Sequence, residues 1–434
     1  MNEIAIGTIM LFATLAILMV IRIPIAFSLA ISALVTATYL GIPYFNLFQK
    51  MSVSLLSFTF IAVPFFIMMA QVMTDGEITS KLMSFCNIIV GRIRGGTAIV
   101  NILVSMLFGG ISGSSAADVS SIGAMLIPAM VKEGYDEDYS VAVTVTSSVE
   151  GVIIPPSQNM LFYALASASG ISISTLLACG YIPGVMLTLG LMIPAYVIAV
   201  RKRYPLGVKR SMRENIKIIW EALLGLGAIV IVLAGTSFGI CSATEAAAVA
   251  AVYALFLTLF VYRNMTLKLY LEGLKKCLPT MTMAMAIISA SGAFGYVMSY
   301  LKVPQNLSTW LLSLTSNRTL LVLLLLLMML VLGCFMDMGI LILLTTPILF
   351  PIATGALGFN PYHFGVVLVL AYGIGLCTPP VGTSLFIGCS IAKVPVEKVV
   401  KGFLPFYLSM IIMLLLLTFI PPLSLGLPKL MGLL

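Results

Sequence analysis

Charged side chains, histidine and tryptophan are scarce in this sequence. Asp, Glu, Lys and Arg make up 9% of its 434 residues, and it contains one histidine and two tryptophans. A soluble domain carries about 25% charged residues, so this composition, with 61% hydrophobic residues, excludes a soluble multidomain protein. The seven cysteines never occur as C-x-x-C pairs, which argues against a disulfide framework or a zinc site. The composition predicts an all-α polytopic membrane protein.

The stretch GGISGSSAAD, residues 109–118, interrupts a long apolar region. As helices, the apolar segments on either side, residues 97–108 and 119–131, would each be about 18 Å long at ~1.5 Å per residue. Neither could cross the ~30 Å hydrocarbon core of a bilayer. We therefore predict a re-entrant hairpin over residues 97–131. Because open backbone at this depth must be covered by protein or line a cavity, the hairpin tip is a candidate transport site.

The second half of the chain repeats these features. Adding 219 to the number of Asp118 gives Asp337, which lies at the tip of a second predicted hairpin, residues 319–352. Farther along the offset becomes 224, which pairs the double proline at 155–156 with the double proline at 379–380. Two copies of a Pro-Pro-x4-Leu-Phe pattern are hard to obtain by chance, so we predict an internal repeat.

About ten further apolar stretches predict transmembrane helices. Five lie between the two hairpins, an odd number, so the hairpins enter from opposite faces and form an inverted-topology repeat. The first repeat covers about residues 52–200, the second about 278–420, and linking helices lie at about 205–277. The predicted spans are residues 4–21, 25–41, 52–73, 139–167, 172–200, 217–235, 243–262, 278–301, 362–391 and 397–420.

The lysines and arginines agree with this topology. With both termini outside, 19 of the 23 basic residues fall in cytoplasmic loops, as the positive-inside rule requires. The four outside are Lys50, Lys302, Arg318 and Lys429. The net charge of +8 therefore reflects topology and does not indicate a nucleic-acid partner.

Shorter segments of mixed character precede the two hairpins, at residues 78–90 and 304–314. We predict that they lie in the membrane interface and brace the hairpins, although ordinary connecting loops would fit the same pattern. Residues 205–215 and 265–277 are predicted to be similar connectors on the inner face.

The spans at 139–167 and 362–391 cannot be continuous helices, because their double prolines remove amide donors and clash with the preceding turn. Each break frees carbonyls that suit Na⁺ and starts a half-helix whose amides attract an anion. Together with the hairpin tips, the breaks predict two Na⁺ sites flanking one anionic substrate. The first site would consist of Ser112, Ser114, Gly151, Ile154 and Pro156, and the second of Gly333, Cys334, Met336, Gly375, Thr378 and Pro380.

Polar residues beside the tips and breaks are the candidates for binding the substrate. Asp118 and Asp337 are ionisable groups at membrane depth and therefore functional candidates, although an Asp that begins a half-helix is also an ordinary N-cap. Ser157, Asn159 and Thr383 follow the double prolines and would face the substrate or an ion. Their alternative role is to cap the outgoing half-helices.

Four motifs, in chain order, resemble the large membrane subunit of tripartite ATP-independent periplasmic (TRAP) transporters. They are GGISGSSAAD at 109–118, E-G-x3-P-P-S at 150–157, T-E-A-A-A-V-A at 244–250 and P-P-V-G at 379–382. The resemblance covers nearly the whole chain, and one departure is Ser242-Ala243 where the family usually has Thr-Pro. It carries over the first cation site at Ser112, Ser114, Gly151 and Pro156, whereas the second site depends mainly on the internal repeat.

The resemblance implies a Na⁺-coupled importer of an organic acid anion, such as sialic acid or a C4-dicarboxylate, and not an enzyme. The transporter would lie in the bacterial inner membrane and move two or more Na⁺ with its substrate by an elevator mechanism. A soluble periplasmic substrate-binding protein would deliver the substrate. A small four-helix membrane subunit, on a separate chain, would complete the complex.

Two alternatives remain open. Residues 110–113 resemble the G-x-S-G of intramembrane serine proteases, with Ser112 as nucleophile. The only available base, His363, is predicted at the outer face, in an interfacial position far from that tip. A channel or a proton-coupled ion transporter with similar inverted hairpins is the second alternative.

Overall fold

The computed structural model of the protein describes residues 3–21, 23–56, 61–91, 93–167, 169–206, 212–237, 240–314, 317–379 and 382–434. Within these residues the chain is helical and has no β-strand; its single β-type contact is a bridge between Arg94 and Leu206. Six helices of the described part are long and apolar enough to cross a membrane, and the same part contains further apolar helical segments of 10–17 residues. The all-helical class predicted from composition is confirmed.

Twelve helices form the first half of the described chain, including the first hairpin and the first broken helix. They are α1 (Glu3–Val20), α2 (Ile25–Tyr39), α3 (Tyr44–Leu55), α4 (Ala62–Asp75), α5 (Ile78–Val90), α6 (Gly96–Ser112), α7 (Ser115–Asp118), α8 (Ala124–Lys132), α9 (Glu137–Ser147), α10 (Glu150–Ile153), α11 (Gln158–Ala166) and α12 (Ile173–Arg201). A π-helical turn, Val119–Gly123, joins α7 to α8.

Ten helices follow, including the second hairpin and the second broken helix. They are α13 (Met212–Ser237), α14 (Ala243–Phe256), α15 (Leu267–Tyr300), α16 (Val303–Leu314), α17 (Arg318–Gly333), α18 (Met338–Pro351), α19 (Pro361–Leu376), α20 (Thr383–Ala392), α21 (Val396–Phe419) and α22 (Pro422–Leu430). Two further π-helical turns, Leu257–Val261 and Ile352–Ala356, follow α14 and α18.

Two segments differ from the sequence prediction. The span predicted at 52–73 is not one helix, because α3 ends at Leu55 and α4 begins at Ala62. Pro64, in the first turn of α4, is tolerated there but would clash with the carbonyl four residues earlier in a longer helix. The connector predicted at 265–277 is instead the first part of α15, since its lysines favour helix and nothing there ends one.

Each hairpin packs against the broken helix of its own half through two facing glycines. A Cβ on Gly109 would lie 2.1 Å from the Cα of Gly151, and a Cβ on Gly375 would lie 2.5 Å from the Cα of Gly333. Both contacts therefore need glycine on each side. The two pairs are separated by the same offset of 224 residues, so the repeat seen in the sequence is also a repeat of backbone packing.

The helices form two packed groups. In the first, which we call the α15 group, α15 packs on α2, α3 and α4, and α14 packs on α4 and α13. In the second, the hairpin group, α6 packs on α9, α10 and α12, α17 packs on α19, and α21 packs on α9 and α12. α5 contacts both groups, and its Lys81 Nζ lies 2.7 Å from Glu221 Oε2 on α13. The groups also meet directly, at α4 with α6 and at α15 with α18, and a cleft lies between them.

Substituting a facing glycine should destabilise the protein. Gly109→Ala places a methyl group against the backbone of Gly151, and overpacking of this kind costs about 1–3 kcal/mol. Gly426→Ala on α22 is the matched control, because no atom of the described residues would contact a Cβ at that position within 4 Å. We expect Gly109→Ala, and not the control, to lower the thermal unfolding temperature in detergent. Equal unfolding temperatures for the two variants would contradict the close contact.

Candidate functional site

A cavity of about 420 Å³ lies in the cleft between α15 and the hairpin group. Its walls come from both hairpin tips, from the first residues after both helix breaks and from α15. The lining includes Gly113, Ser114, Ser115, Gln158, Asn159, Asp337, Met338, Thr383, Pro279, Thr280 and Met283. We call it the central cavity. It is the place where the interrupted elements of both repeats meet.

The tip of the first hairpin touches the break of the first broken helix. α6 ends at Ser112, and Gly113 has a φ of 61°, a conformation that favours glycine. The side-chain amide of Asn159 donates to the carbonyl of Gly113 over 2.9 Å. A Cβ on Gly113 would lie 3.3 Å from the carbonyl oxygen of Pro156. The structure thus brings the predicted ligands Ser112 and Ser114 beside Pro156.

The break itself leaves carbonyl oxygens without donors. α10 is a single turn that ends at Ile153 with Ile154 as its C-cap, and a cis Pro155-Pro156 bond precedes α11. Among the described residues, no hydrogen-bond donor reaches the carbonyl of Ile154 or of Pro156. Gly151 is buried in the glycine contact with α6. Oxygen atoms of this kind are the ligands that a hard cation requires.

The second hairpin tip touches the second break in a similar way. The amide of Gly382 donates to the carbonyl of Cys334 over 3.0 Å. Beside it, Gly333 faces Gly375, and the Thr378 hydroxyl donates to the carbonyl of Ile374. The structure thus gathers four of the six predicted ligands of the second site. No hydrogen bond joins Met336 to them among the described residues, and Pro380 lies outside those residues.

The break also exposes a carbonyl that the sequence did not single out. The carbonyl oxygens of Leu376 and Thr378 face Gly382, 2.9 Å and 2.8 Å from the position of a Cβ there. The neighbouring carbonyl of Cys377 accepts a hydrogen bond from the Tyr407 hydroxyl of α21. Leu376 therefore joins Thr378 as a possible oxygen ligand.

Three of the five predicted substrate-binding residues, Asp337, Asn159 and Thr383, line the central cavity. Asp337 is also the N-cap of α18, with its Oδ1 accepting from the Gly339 amide over 3.0 Å, so the capping alternative holds for it. The Thr383 hydroxyl has no partner among the described residues. Ser157 does not line the cavity, because it is buried as the N-cap of α11 and its hydroxyl donates to the carbonyl of Val152.

Asp118 does not line the cavity either. It is the last residue of the short helix α7, is 1% exposed, and is not an N-cap of α7. The residue that begins α7 as its N-cap is Ser114, which therefore corresponds to Asp337 at the start of α18. The pairing of Asp118 with Asp337 was wrong because the two tips differ in length. The carboxylate oxygens of Asp118 and Glu150 have no hydrogen-bond partner among the described residues.

Hydrogen bonds among three buried hydroxyl groups join the two repeats beside the cavity. The Ser115 hydroxyl lies 2.6 Å from that of Ser148 and 2.7 Å from that of Ser384. These serines belong to the first hairpin, the first broken helix and the second broken helix. Sequence analysis missed this set of hydroxyl groups. It also missed Thr280 and Met283 of α15, because which face of α15 meets the hairpin group depends on tertiary packing. Serines in otherwise apolar segments were the available signal for Ser115 and Ser384.

His363 has a structural role. It is buried, not interfacial as predicted, with its Nδ1 2.7 Å from the Ser424 hydroxyl and its Nε2 3.3 Å from the Thr418 carbonyl. Both ring nitrogens are thus used to join α19 to α21 and α22. His363 is not the base of a catalytic pair with Ser112.

Comparison with known proteins gives a consistent result. The family described as "Tripartite ATP-independent periplasmic transporter, DctM component" matches residues 12–423. The C4-dicarboxylate TRAP transporter large permease protein DctM of Pseudomonas aeruginosa is 38% identical over 379 residues, covering 86% of this chain and 87% of that protein. The sialic acid TRAP transporter large permease protein SiaM of Vibrio cholerae is 34% identical over 410 residues, covering 94% and 95%.

A solved structure shares the fold. The YdaH transporter of Alcanivorax borkumensis superposes with a TM-score of 0.64 and covers 90% of each chain, at 14% sequence identity. The relatives are transporter permeases and not enzymes, which agrees with the structural role of His363. The protein therefore belongs to the DctM-component family, the large permeases of TRAP transporters.

Proposed function

We propose that the protein imports an organic acid anion together with Na⁺, using the central cavity as the substrate site. The observation that carries this proposal is the meeting of two hairpin tips and two helix breaks around one cavity against α15. Interrupted helices at membrane depth form the binding sites of secondary transporters, because they expose backbone dipoles without exposing backbone to lipid.

The cavity suits an anion through backbone dipoles. Of the described residues that line it, none is lysine, arginine or histidine. Three half-helices, however, begin at its wall, with Gln158, Met338 and Thr383 as their first residues. The amino end of a helix carries a partial positive charge and free amides. A carboxylate in the cavity would be held by these ends and by hydroxyl and amide side chains.

Na⁺ would supply the full positive charge that the cavity lacks. The unpartnered carbonyls of Ile154 and Pro156 support a first ion beside Ser112, and the carbonyls of Leu376 and Thr378 support a second. Two Na⁺ with a monoanion carry one net charge, for which the membrane potential supplies about 2.3 kcal/mol per 100 mV. A dianion would need a third ion to be driven by voltage.

The negative charge of Asp337 also supports a cation bound near the substrate. Its carboxylate lines the cavity and would repel an anionic substrate at close range. A cation bound nearby would offset this repulsion and would itself be attracted by the carboxylate of Asp337. We therefore place Asp337 beside a co-transported cation rather than in contact with the substrate carboxylate.

Transport would proceed by movement of the hairpin group against the α15 group, as an elevator in the bacterial inner membrane. The cleft between the groups holds the cavity, and α5 connects them. A periplasmic binding protein would deliver the substrate, and a small four-helix subunit would pack beside the chain. The names of the relatives mention a C4-dicarboxylate and sialic acid, so we propose a carboxylated organic acid without choosing between them.

Reconstitution tests the coupling directly. The protein, with its small subunit and candidate binding proteins, should accumulate a labelled organic acid in proteoliposomes only when an inward Na⁺ gradient and the binding protein are present. Replacing Na⁺ by choline should abolish uptake. Uptake that is driven equally by a proton gradient, or that needs no binding protein, would favour the proton-coupled transporter or the channel.

The first Na⁺ site can be tested by removing the hydroxyl of Ser112. Ser112→Ala removes a buried oxygen beside Pro156 and should raise the Na⁺ concentration for half-maximal uptake by roughly tenfold, the effect of losing about 1.4 kcal/mol of binding. The control is Ser120→Ala, because Ser120 is exposed and its hydroxyl bonds only the Ala116 carbonyl. A Na⁺ response in Ser112→Ala identical to that of the control would refute this site.

Two substitutions of Asp337 separate its charge from its capping role. Asp337→Asn keeps an oxygen acceptor for the Gly339 amide and should leave thermal unfolding unchanged, while raising the Na⁺ requirement severalfold. Asp337→Ala loses the cap as well and should lower stability by about 1 kcal/mol. If Asp337→Asn transports with the wild-type Na⁺ dependence, the carboxylate does not act on a cation.

A further inference from the structure

A second cavity, of about 700 Å³, lies in the same cleft beside the central cavity. Three helices, α11, α15 and α18, line both cavities, each with one part of its length at the central cavity and another part at the second cavity. α11 lines the central cavity with 158–162 and the second cavity with 164–166, and α15 does so with 279–287 and 288–299. α18 completes both, and its Leu343 belongs to both walls. The two cavities are therefore successive chambers of one cleft.

The second cavity lies on the outer side of the central one. On the predicted topology α15 rises from the cytoplasmic face toward the periplasm, so that Tyr296 is farther out than Ala284. Tyr296 lies 12 positions after Ala284, which corresponds to about 18 Å at ~1.5 Å per residue. We call the second cavity the outer antechamber. A substrate released at the periplasmic surface would cross it before reaching the central cavity.

Lys50 on α3 is the basic residue of the antechamber. Among the described residues that line either cavity it is the single lysine, and no arginine or histidine lines them. Its Nζ lies 5.8 Å from the centre of the Tyr296 ring, at the limit of a cation–π contact. Within the described chain no carboxylate lies within 4 Å of it, and no acidic residue lines the antechamber.

The backbone at Lys50 packs closely on α15, and the space beside it is open. α3 packs closely on α15 at Gly292, where a Cβ would lie 2.2 Å from the Ser54 hydroxyl oxygen, and that hydroxyl donates to the Lys50 carbonyl over 2.8 Å. One turn away, a Cβ on Gly295 would meet nothing within 4 Å. The hydroxyl of Ser291 is buried in this wall without a partner among the described residues. Close packing of α3 on α15 therefore lies next to open space in the cavity.

We propose that the outer antechamber is an entry site for the substrate, in which Lys50 binds a carboxylate of the organic acid before it reaches the central cavity. This inference rests on the proposed import of an organic acid anion. The ammonium group attracts the anion into the cleft without the cost of a fully buried charge, because Lys50 is exposed. At the central cavity the positive charge comes instead from Na⁺ and from the amino ends of helices. The substrate would therefore leave Lys50 and bind to these groups.

The first test is a charge series at Lys50, measured as uptake against the concentration of loaded binding protein. Lys50→Gln should raise the half-saturating concentration about fivefold, as expected for the loss of one charge near the surface, and Lys50→Glu should raise it further. Lys50→Arg, which keeps the positive charge, should retain the wild-type half-saturating concentration. The maximal rate and the Na⁺ concentration for half-maximal uptake should stay at the wild-type values. Lys302→Gln, at an exposed outer lysine that lines neither cavity, should behave as wild type.

Chemical rescue tests the charge itself. In a Cys241→Ser background, Lys50→Cys should regain a low half-saturating concentration after reaction with aminoethyl methanethiosulfonate, which restores a positive charge. Reaction with the negatively charged sulfonatoethyl reagent should raise the concentration further. Cys241 is replaced because it is the one cysteine of the described chain that is not buried.

Three results would overturn the proposal. One is a Lys50→Gln variant that matches wild type in a preparation whose wild-type protein shows Na⁺-dependent uptake. The second is weaker binding of unloaded binding protein to Lys50→Gln, which would make Lys50 a docking residue. The third is a difference that appears only in vesicles containing phosphatidylglycerol, which would make a lipid phosphate the ligand. Absence of uptake by the wild-type protein with every acid would instead count against the proposed function.

Discussion

Peptide groups opened at the centre of a membrane must find partners inside the protein, and this constraint organises the structure. The chain opens its backbone at two hairpin tips and two helix breaks, and each tip is held by a break of the same repeat. The Asn159 amide binds the Gly113 carbonyl in the first repeat, and the Gly382 amide binds the Cys334 carbonyl in the second. The carbonyls left over, at Ile154 and Pro156, are therefore available to an ion.

The glycine contacts make this arrangement possible. Gly109 against Gly151, and Gly333 against Gly375, bring backbones closer than any side chain would permit. The buried hydroxyl groups of Ser115, Ser148 and Ser384 then join the repeats to each other. Tips and breaks consequently form one packed body, and the cleft beside α15 is where this body can slide on the proposed mechanism.

Much of this arrangement of hairpins and helix breaks could be predicted from the sequence, because glycine, proline and apolar segments determine the local course of the backbone. Both hairpins and both breaks follow from short apolar segments and double prolines. Asn159, Asp337 and Thr383 were singled out because they lie beside these interruptions, and all three line the central cavity. The error at Asp118 arose because a fixed numerical offset cannot show that one tip is longer than the other. The contribution of Thr280 and Met283 could not be predicted, because which face of α15 meets the hairpin group depends on tertiary packing.

The two repeats share a backbone plan but differ in charge, and that difference bears on coupling. Ser114 begins the half-helix at the first tip, whereas Asp337 begins the one at the second, inside the cavity that would hold the anion. A cation bound near the substrate carboxylate attracts it directly, whereas Asp337 attracts the cation and repels the substrate. Each ligand therefore raises the affinity for the other, which is a coupling free energy in the thermodynamic sense. On the proposed function, the aspartate at one tip would favour the cation and disfavour an anion that binds alone, so the asymmetry between otherwise similar repeats would keep the substrate from moving without the ion.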